Sequence, residues 1–165
     1  MRRLTCVVAV TCALLAVPSS SRATGHTQVQ MSAASCRPVT FSESALTTYS
    51  TFGLYDNNSL SAINVVCPLV TDFDSVSTTA GVYYINVSAY DRNCSSDITA
   101  TFYSQYNDGT TFTSSAANTT GCSTPVQTLT ASPPNWVGTV LVWVTIPPID
   151  MGASFLTNFW YLENR

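Results

Sequence analysis

Two cysteines mirror each other about a turn signal. Cys94 stands 14 residues before Asp108 and Cys122 stands 14 after it, with Asn107-Asp108-Gly109 at the centre. Asp-Gly accepts the positive φ of a type I′ turn, so the spacing predicts a β-hairpin with strands over 97–106 and 110–116. Such a hairpin brings Cys94 and Cys122 level. Two further cysteines, Cys36 and Cys67, open and close the first predicted pair of strands, over 38–46 and 62–69, with Asp56-Asn57-Asn58-Ser59 as a turn between them. Four cysteines allow three pairings. The hairpin geometry favours Cys94–Cys122, and the same logic favours Cys36–Cys67. Each bridge closes a loop of roughly 30 residues and contributes about 3–4 kcal/mol in the chain-entropy picture.

The rest of the chain has the period of strands. In 82–90, Tyr83, Ile85, Val87 and Ala89 share one face, and Tyr84, Asn86, Ser88 and Tyr90 share the other. Residues 138–146 are so apolar that a central strand covered on both faces is expected, ended by Pro147 and Pro148. Residues 155–163 alternate again, and 126–131 offer one more strand. No segment has the period of an amphipathic helix. The expected fold is all-β: an antiparallel β-sandwich, jelly-roll-like, with about eight strands and two disulfides.

The first residues carry a different signal. Arg2 and Arg3 precede the apolar run 4–17, which is too short to span a bilayer, and Ser21-Arg22-Ala23 fits a small-residue cleavage site. Residues 1–23 therefore read as a secretory signal peptide, 24–35 as a flexible leader and 36–165 as one β-sandwich domain. A secreted or periplasmic location agrees with the disulfide pattern.

Charge and residue type exclude most chemistry. The chain has no lysine, and its one histidine, His26, lies in the leader. Beyond Ala23, three arginines face nine acids, a net charge of −6. Such a surface repels phosphate backbones, so nucleic acid is not an expected partner, and no stable membrane insertion is expected once the signal is removed. Ser-His-Asp, Cys-His and lysine chemistry lack their groups. A two-carboxylate glycoside hydrolase remains as a remote alternative, with Asp72, Asp74, Asp91 and Asp97 as candidates. Asp72-Phe73-Asp74 also places two carboxylates on one side of an extended segment, which suits calcium, although the spacing is not that of an EF-hand. Trp136 and Trp143 are the candidate ligand-binding aromatics, with Trp136 in a loop after Pro133-Pro134-Asn135.

Several short motifs bear a resemblance. Cys36-Arg37-Pro38, Tyr55-Asp56-Asn57, Val66-Cys67-Pro68-Leu69 and Val87-Ser88-Ala89-Tyr90-Asp91, followed by Cys94 and by Phe159-Trp160-Tyr161-Leu162-Glu163, resemble a loose group of small uncharacterised exported proteins of Gram-negative soil bacteria. The resemblance implies an exported, disulfide-containing β-sandwich and no activity. Members often carry a cysteine in the penultimate strand. Leu141-Val142-Trp143-Val144 has none, which leaves the bridge connectivity open. The expected function is a non-catalytic extracellular structural or interaction module, adhesin-like, whose partner is an extracellular protein or a polysaccharide. The alternative is a carbohydrate-binding module using exposed aromatics, with calcium as its one conceivable cofactor.

Overall fold

The computed structural model describes residues 26–58, 60–69, 81–105, 111–122, 125–131 and 139–164. They form eleven strands in two antiparallel sheets. These are β1 (His26–Ser32), β2 (Arg37–Pro38), β3 (Thr47–Ser50), β4 (Gly53–Asp56), β5 (Ile63–Pro68), β6 (Gly81–Tyr90), β7 (Thr99–Gln105), β8 (Thr111–Asn118), β9 (Gln127–Ala131), β10 (Thr139–Ile146) and β11 (Phe155–Asn164). One sheet has the order β3-β4-β11-β6-β9, with β1 also paired to β11; the other is β2-β5-β10-β7-β8.

Strand alternation builds the sandwich. In the first sheet Leu54, Ile85, Val87, Ala89, Leu129, Leu156, Phe159 and Tyr161 turn inward and are buried. The second sheet answers with Ile63, Val65, Ala100, Phe102, Val140, Val142, Val144 and Ile146. Each fully buried aliphatic or phenyl side chain stabilises the fold by about 1.5–3 kcal/mol. Gly53 sits where β4 meets β11: its φ is +140°, and a Cβ there would stand 1.9 Å from the Leu156 carbonyl oxygen. Both favoured disulfides form. Cys36–Cys67 has a Cα–Cα distance of 4.1 Å and is buried, while Cys94–Cys122 has 4.4 Å and joins the two exposed ends of the β7–β8 hairpin. The turn residues 107–109 themselves lie outside the described residues, but the register Thr99↔Asn118 to Ser104↔Thr113 centres the hairpin on them.

Four expectations change. The segment 24–35, read as a flexible leader, contributes β1, whose seven residues pair with Asn158 to Asn164 of β11; a one-turn 3-10 helix, Ala33–Ser35, follows. The strand expected over 38–46 stops at Pro38, and Phe41–Ser44 forms one turn of α-helix, α1. Its cause is local: the Thr40 side chain accepts from the Glu43 backbone N–H while Glu43 Oε2 accepts from Thr40 N at 2.9 Å, a complete capping box. Third, β10 is central in its sheet but covered on one face only. Leu141, Trp143 and Thr145 are half-buried on its outer side, as an antiparallel sheet with one solvated face allows. Fourth, the eight expected strands become eleven. The first region supplies four short ones, β1 to β4, where a single strand was expected. Among the described residues no helix is long and apolar enough to cross a membrane.

Candidate functional site: the outer face of β4, β11 and β6

The pairing of β6 with β11 gathers aromatic side chains that lie far apart in sequence. Phe155 stands opposite Tyr90, Trp160 opposite Asn86, and Leu162 opposite Tyr84. β4 adds Tyr55 opposite Phe155. Because paired residues share a face, Tyr55, Tyr84, Tyr90, Phe155 and Trp160 all lie on the outer, half-exposed side of this sheet. The rings touch in two groups. Tyr84 and Trp160 have centroids 5.6 Å apart. Phe155 lies 5.1 Å from Tyr55 and 6.2 Å from Tyr90. All three pairs are tilted, a favourable geometry for ring quadrupoles. The face from Tyr84 to Tyr90 is about 20 Å long at the rise of a strand.

Polar groups lie between the two clusters. Asn158 pairs in register with Ser88, which in turn pairs with Thr128; Asn86 pairs with Thr130. Thr130 Oγ1 donates to Asn86 Oδ1 at 2.6 Å, yet Asn86 Nδ2 is buried and makes no hydrogen bond among the described residues. The same is true of Asn158 Oδ1. Buried polar atoms without a partner are uncommon and are readily satisfied by water or a ligand hydroxyl. Beside the second ring cluster, Phe52, Tyr90, Val126, Phe155 and Thr157 line an open, almost wholly apolar hollow of about 250 Å³. Phe52 is 77% exposed and Val126 55%.

The other outer face is different. Trp143 stands between Val66 and Thr101 on β5-β10-β7. Its indole N–H donates to Asn64 Oδ1 at 3.2 Å, and Thr145 Oγ1 donates to the same oxygen at 2.8 Å. Asn64 in turn donates to Glu43 Oε1 from both N (2.9 Å) and Nδ2 (2.7 Å). Partial burial pushes the Glu43 carboxyl upward, but the hydrogen bonds from Asn64 and Thr40 outweigh it and leave the pKa lowered. Trp143 is thus the end of a chain of hydrogen bonds that fastens α1 to the second sheet. Trp136, the second predicted aromatic, lies outside the described residues, as do Asp72 and Asp74.

Asp91, Asp97 and Asp56 each lie in separate hydrogen-bonding surroundings. Asp91 is fully buried with both oxygens occupied. Its Oδ1 accepts from Asn93 N (3.0 Å) and Ser154 Oγ (2.9 Å), and its Oδ2 from Ile98 N (3.3 Å) and Thr119 Oγ1. Asp97 is exposed and accepts from Gly121 N. Asp56, which sequence reasoning placed in a turn, is also fully buried. One oxygen accepts from Asn58 N at 2.8 Å and the other has no partner among the described residues. Desolvation pushes its pKa up to about 6 against the single opposing hydrogen bond. Among the described residues no cluster of His, Cys, Asp or Glu gathers as a metal site.

Sequence reasoning found the outer residues of β6 but not the site. Tyr84 and Tyr90 were legible as one face of a strand; their union with Phe155 and Trp160 depends on a pairing that crosses some 70 residues of chain.

No protein-family model matches the sequence, and no curated protein is similar to it. Among solved structures the chain is similar to a xylan-binding module, CBM15, with a TM-score of 0.54 and 13% identity, over 84% of this chain and 97% of that one. At that identity the likeness is one of fold: both are β-sandwiches of matching extent.

Proposed function

We propose that this chain is a non-catalytic carbohydrate-binding module that works outside the cytoplasm and holds a polysaccharide on the outer face of β4, β11 and β6. The observation that carries the reading is the single-face array of Tyr84, Trp160, Tyr55, Phe155 and Tyr90. A pyranose ring presents a patch of C–H groups that an aromatic face covers well, and its hydroxyls need polar partners between the rings. Asn158, Ser88 and Thr130 stand in that position, with the buried Asn86 holding Thr130. The fold shared with a xylan-binding module supports the choice of xylan as the first ligand to test. The two disulfides support an oxidising compartment.

The test is calorimetric titration of the oxidised protein with soluble xylan and a panel of other polysaccharides. Trp160→Ala is expected to weaken binding by tenfold or more, the scale of a lost aromatic anchor, with little change in the melting temperature. Trp143→Ala is expected to leave binding in place. Loss of binding with Trp143→Ala alone would move the site to the opposite face. A blank across the panel would overturn the carbohydrate reading and leave a protein partner, seated on the exposed Phe52 and Val126, as the function.

A further inference from the structure

Arg92 extends the outer face of β6 one step past Tyr90. Tyr84, Asn86, Ser88 and Tyr90 occupy that face at the two-residue period of a strand, and Arg92 is the next member of the series. Its side chain is exposed, but its position is defined on two sides. The guanidinium carbon lies 5.9 Å from the centroid of the Tyr90 ring. Gly152 is also close to the side chain: a Cβ there would stand 3.1 Å from Arg92 Nε and 3.2 Å from Cδ and Cζ. A residue without a side chain at 152 is what gives the guanidinium room to lie close to the backbone. The Arg92 backbone N–H is held by Ser154 Oγ at 3.0 Å, and Ser154 Oγ in turn donates to the buried Asp91.

Among the described residues no carboxylate or carbonyl accepts from the guanidinium. Nearby, Asp150 Oδ2 accepts from Cys94 N and Ser95 Oγ instead. By contrast Arg37 donates to the carbonyls of Ala34 and Cys36. A guanidinium held beside a ring and a glycine, with no acceptor on its fork among the described residues, suits a carboxylate. The ring it covers, Tyr90, also lines the apolar hollow with Phe155 and Phe52.

Resting on the carbohydrate reading above, we infer that this end of the face selects a polysaccharide whose neutral backbone carries uronic-acid branches. The branch sugar sits against Tyr90 and Phe155, and its carboxylate pairs with Arg92. The sparse positive charge defines the class further. Beyond Ala23 the chain has a net charge of −6, so a dense polyuronate is repelled by the surface as a whole while an isolated carboxylate at Arg92 is not.

The experiment compares xylan bearing glucuronic-acid branches with the same xylan after reduction of its carboxyl groups, titrated into the oxidised full chain. The readout is the ratio of the two affinities. The wild-type ratio is expected to be about tenfold in favour of the acid form, the worth of one charge-assisted bidentate contact. Arg92→Gln collapses the ratio toward one, Arg92→Lys restores part of it, and Gly152→Ala lowers it by displacing the guanidinium. High salt reduces the wild-type ratio. Equal affinities in the wild type, or a ratio that survives Arg92→Gln, would overturn the inference and leave the carbohydrate reading intact. Absence of binding to either form, and to every neutral polysaccharide of the panel, would overturn both. Should Arg92→Gln fail to fold, a ratio insensitive to salt and to Arg92→Lys overturns the inference in its place.

Discussion

Asp56 and Asp91 occupy equivalent places and meet opposite fates. Tyr55 and Tyr90 both stand opposite Phe155, one on each side of β11, so the next residue on each strand is an aspartate pointing into the same end of the sandwich. The two lie about 10 Å apart, twice the spacing between strands. Both are fully buried. Around Asp91 the loop 92–98, Ser154 and Thr119 supply a donor for each lone pair that needs one. Around Asp56 only Asn58 N does so, and the second oxygen faces the interior without a partner among the described residues. Burial by itself therefore does not decide what a carboxyl does in this fold. The supply of backbone and hydroxyl donors decides it.

The largest expected effect is at Asp91. Asp91→Ala strands the Asn93 N–H and takes the acceptor from the Ser154 and Thr119 hydroxyls, while Ile98 N–H keeps Thr119 Oγ1 at 2.8 Å; it is expected to cost about 3–5 kcal/mol in urea denaturation. A cost under 1 kcal/mol would mean that water replaces the carboxylate and that the contrast with Asp56 is false. Asp56 gives the next effect, and it depends on pH. Its folded-state pKa, about 6, lies above the usual 3.8. The proton is therefore held more tightly in the folded protein, so the group's contribution is fully present below about pH 4 and is lost as pH rises through 6. The stability of Asp56→Asn relative to wild type should accordingly rise by up to about 3 kcal/mol between acid and neutral pH. A difference that does not change with pH would show that Oδ2 has found a partner.

Glu43 provides the smallest step and the opposite sign. Its pKa is lowered, because the hydrogen bonds from Asn64 and Thr40 outweigh its partial desolvation. Its contribution is therefore present above the usual carboxylate range and is lost as pH falls through the lowered value. Glu43→Gln keeps the shape but cannot accept on both sides, and is expected to cost about 1 kcal/mol at neutral pH. Near-ultraviolet circular dichroism of Trp143 would register the same loosening, since Asn64 connects the two residues.

The fold was legible wherever strand period and local turn chemistry agreed. Residues 82–90 alternate cleanly, and the mirrored Cys94 and Cys122 located their hairpin without knowledge of the rest. The helix at Phe41–Ser44 also had a local sign, Thr40 and Glu43 at capping-box spacing, which the β-rich surroundings concealed. β1 had a short one, Val29 and Met31 alternating with Gln28 and Gln30, which its polar His-Thr-Gln start and Ser end obscured; the apolar pair packs against the core and β11 offers the edge. The candidate site was hidden for a related reason. The alternation of 155–163 is broken at Thr157, where the register with β6 shifts, so that Phe155 and Trp160 share a face although their spacing in a regular strand would part them. Trp143 stood out by residue type alone, and only the structure shows its indole N–H tied to Asn64, 79 residues away.

The place of β11 in the first sheet also governs the order of events in time. It is the partner of β1, β4 and β6 at once, yet it follows all three in sequence. Until it arrives, those three strands have no common neighbour, and the pairing of β1 with β11 must close a loop of more than a hundred residues. Such long-range pairing is slow compared with hairpin formation. The β7–β8 hairpin can form early and receive its disulfide, whereas the aromatic face has to wait for β11. A chain whose β11 has not yet paired thus carries no assembled aromatic face, and that face comes into being in the same step that joins β1, β4 and β6.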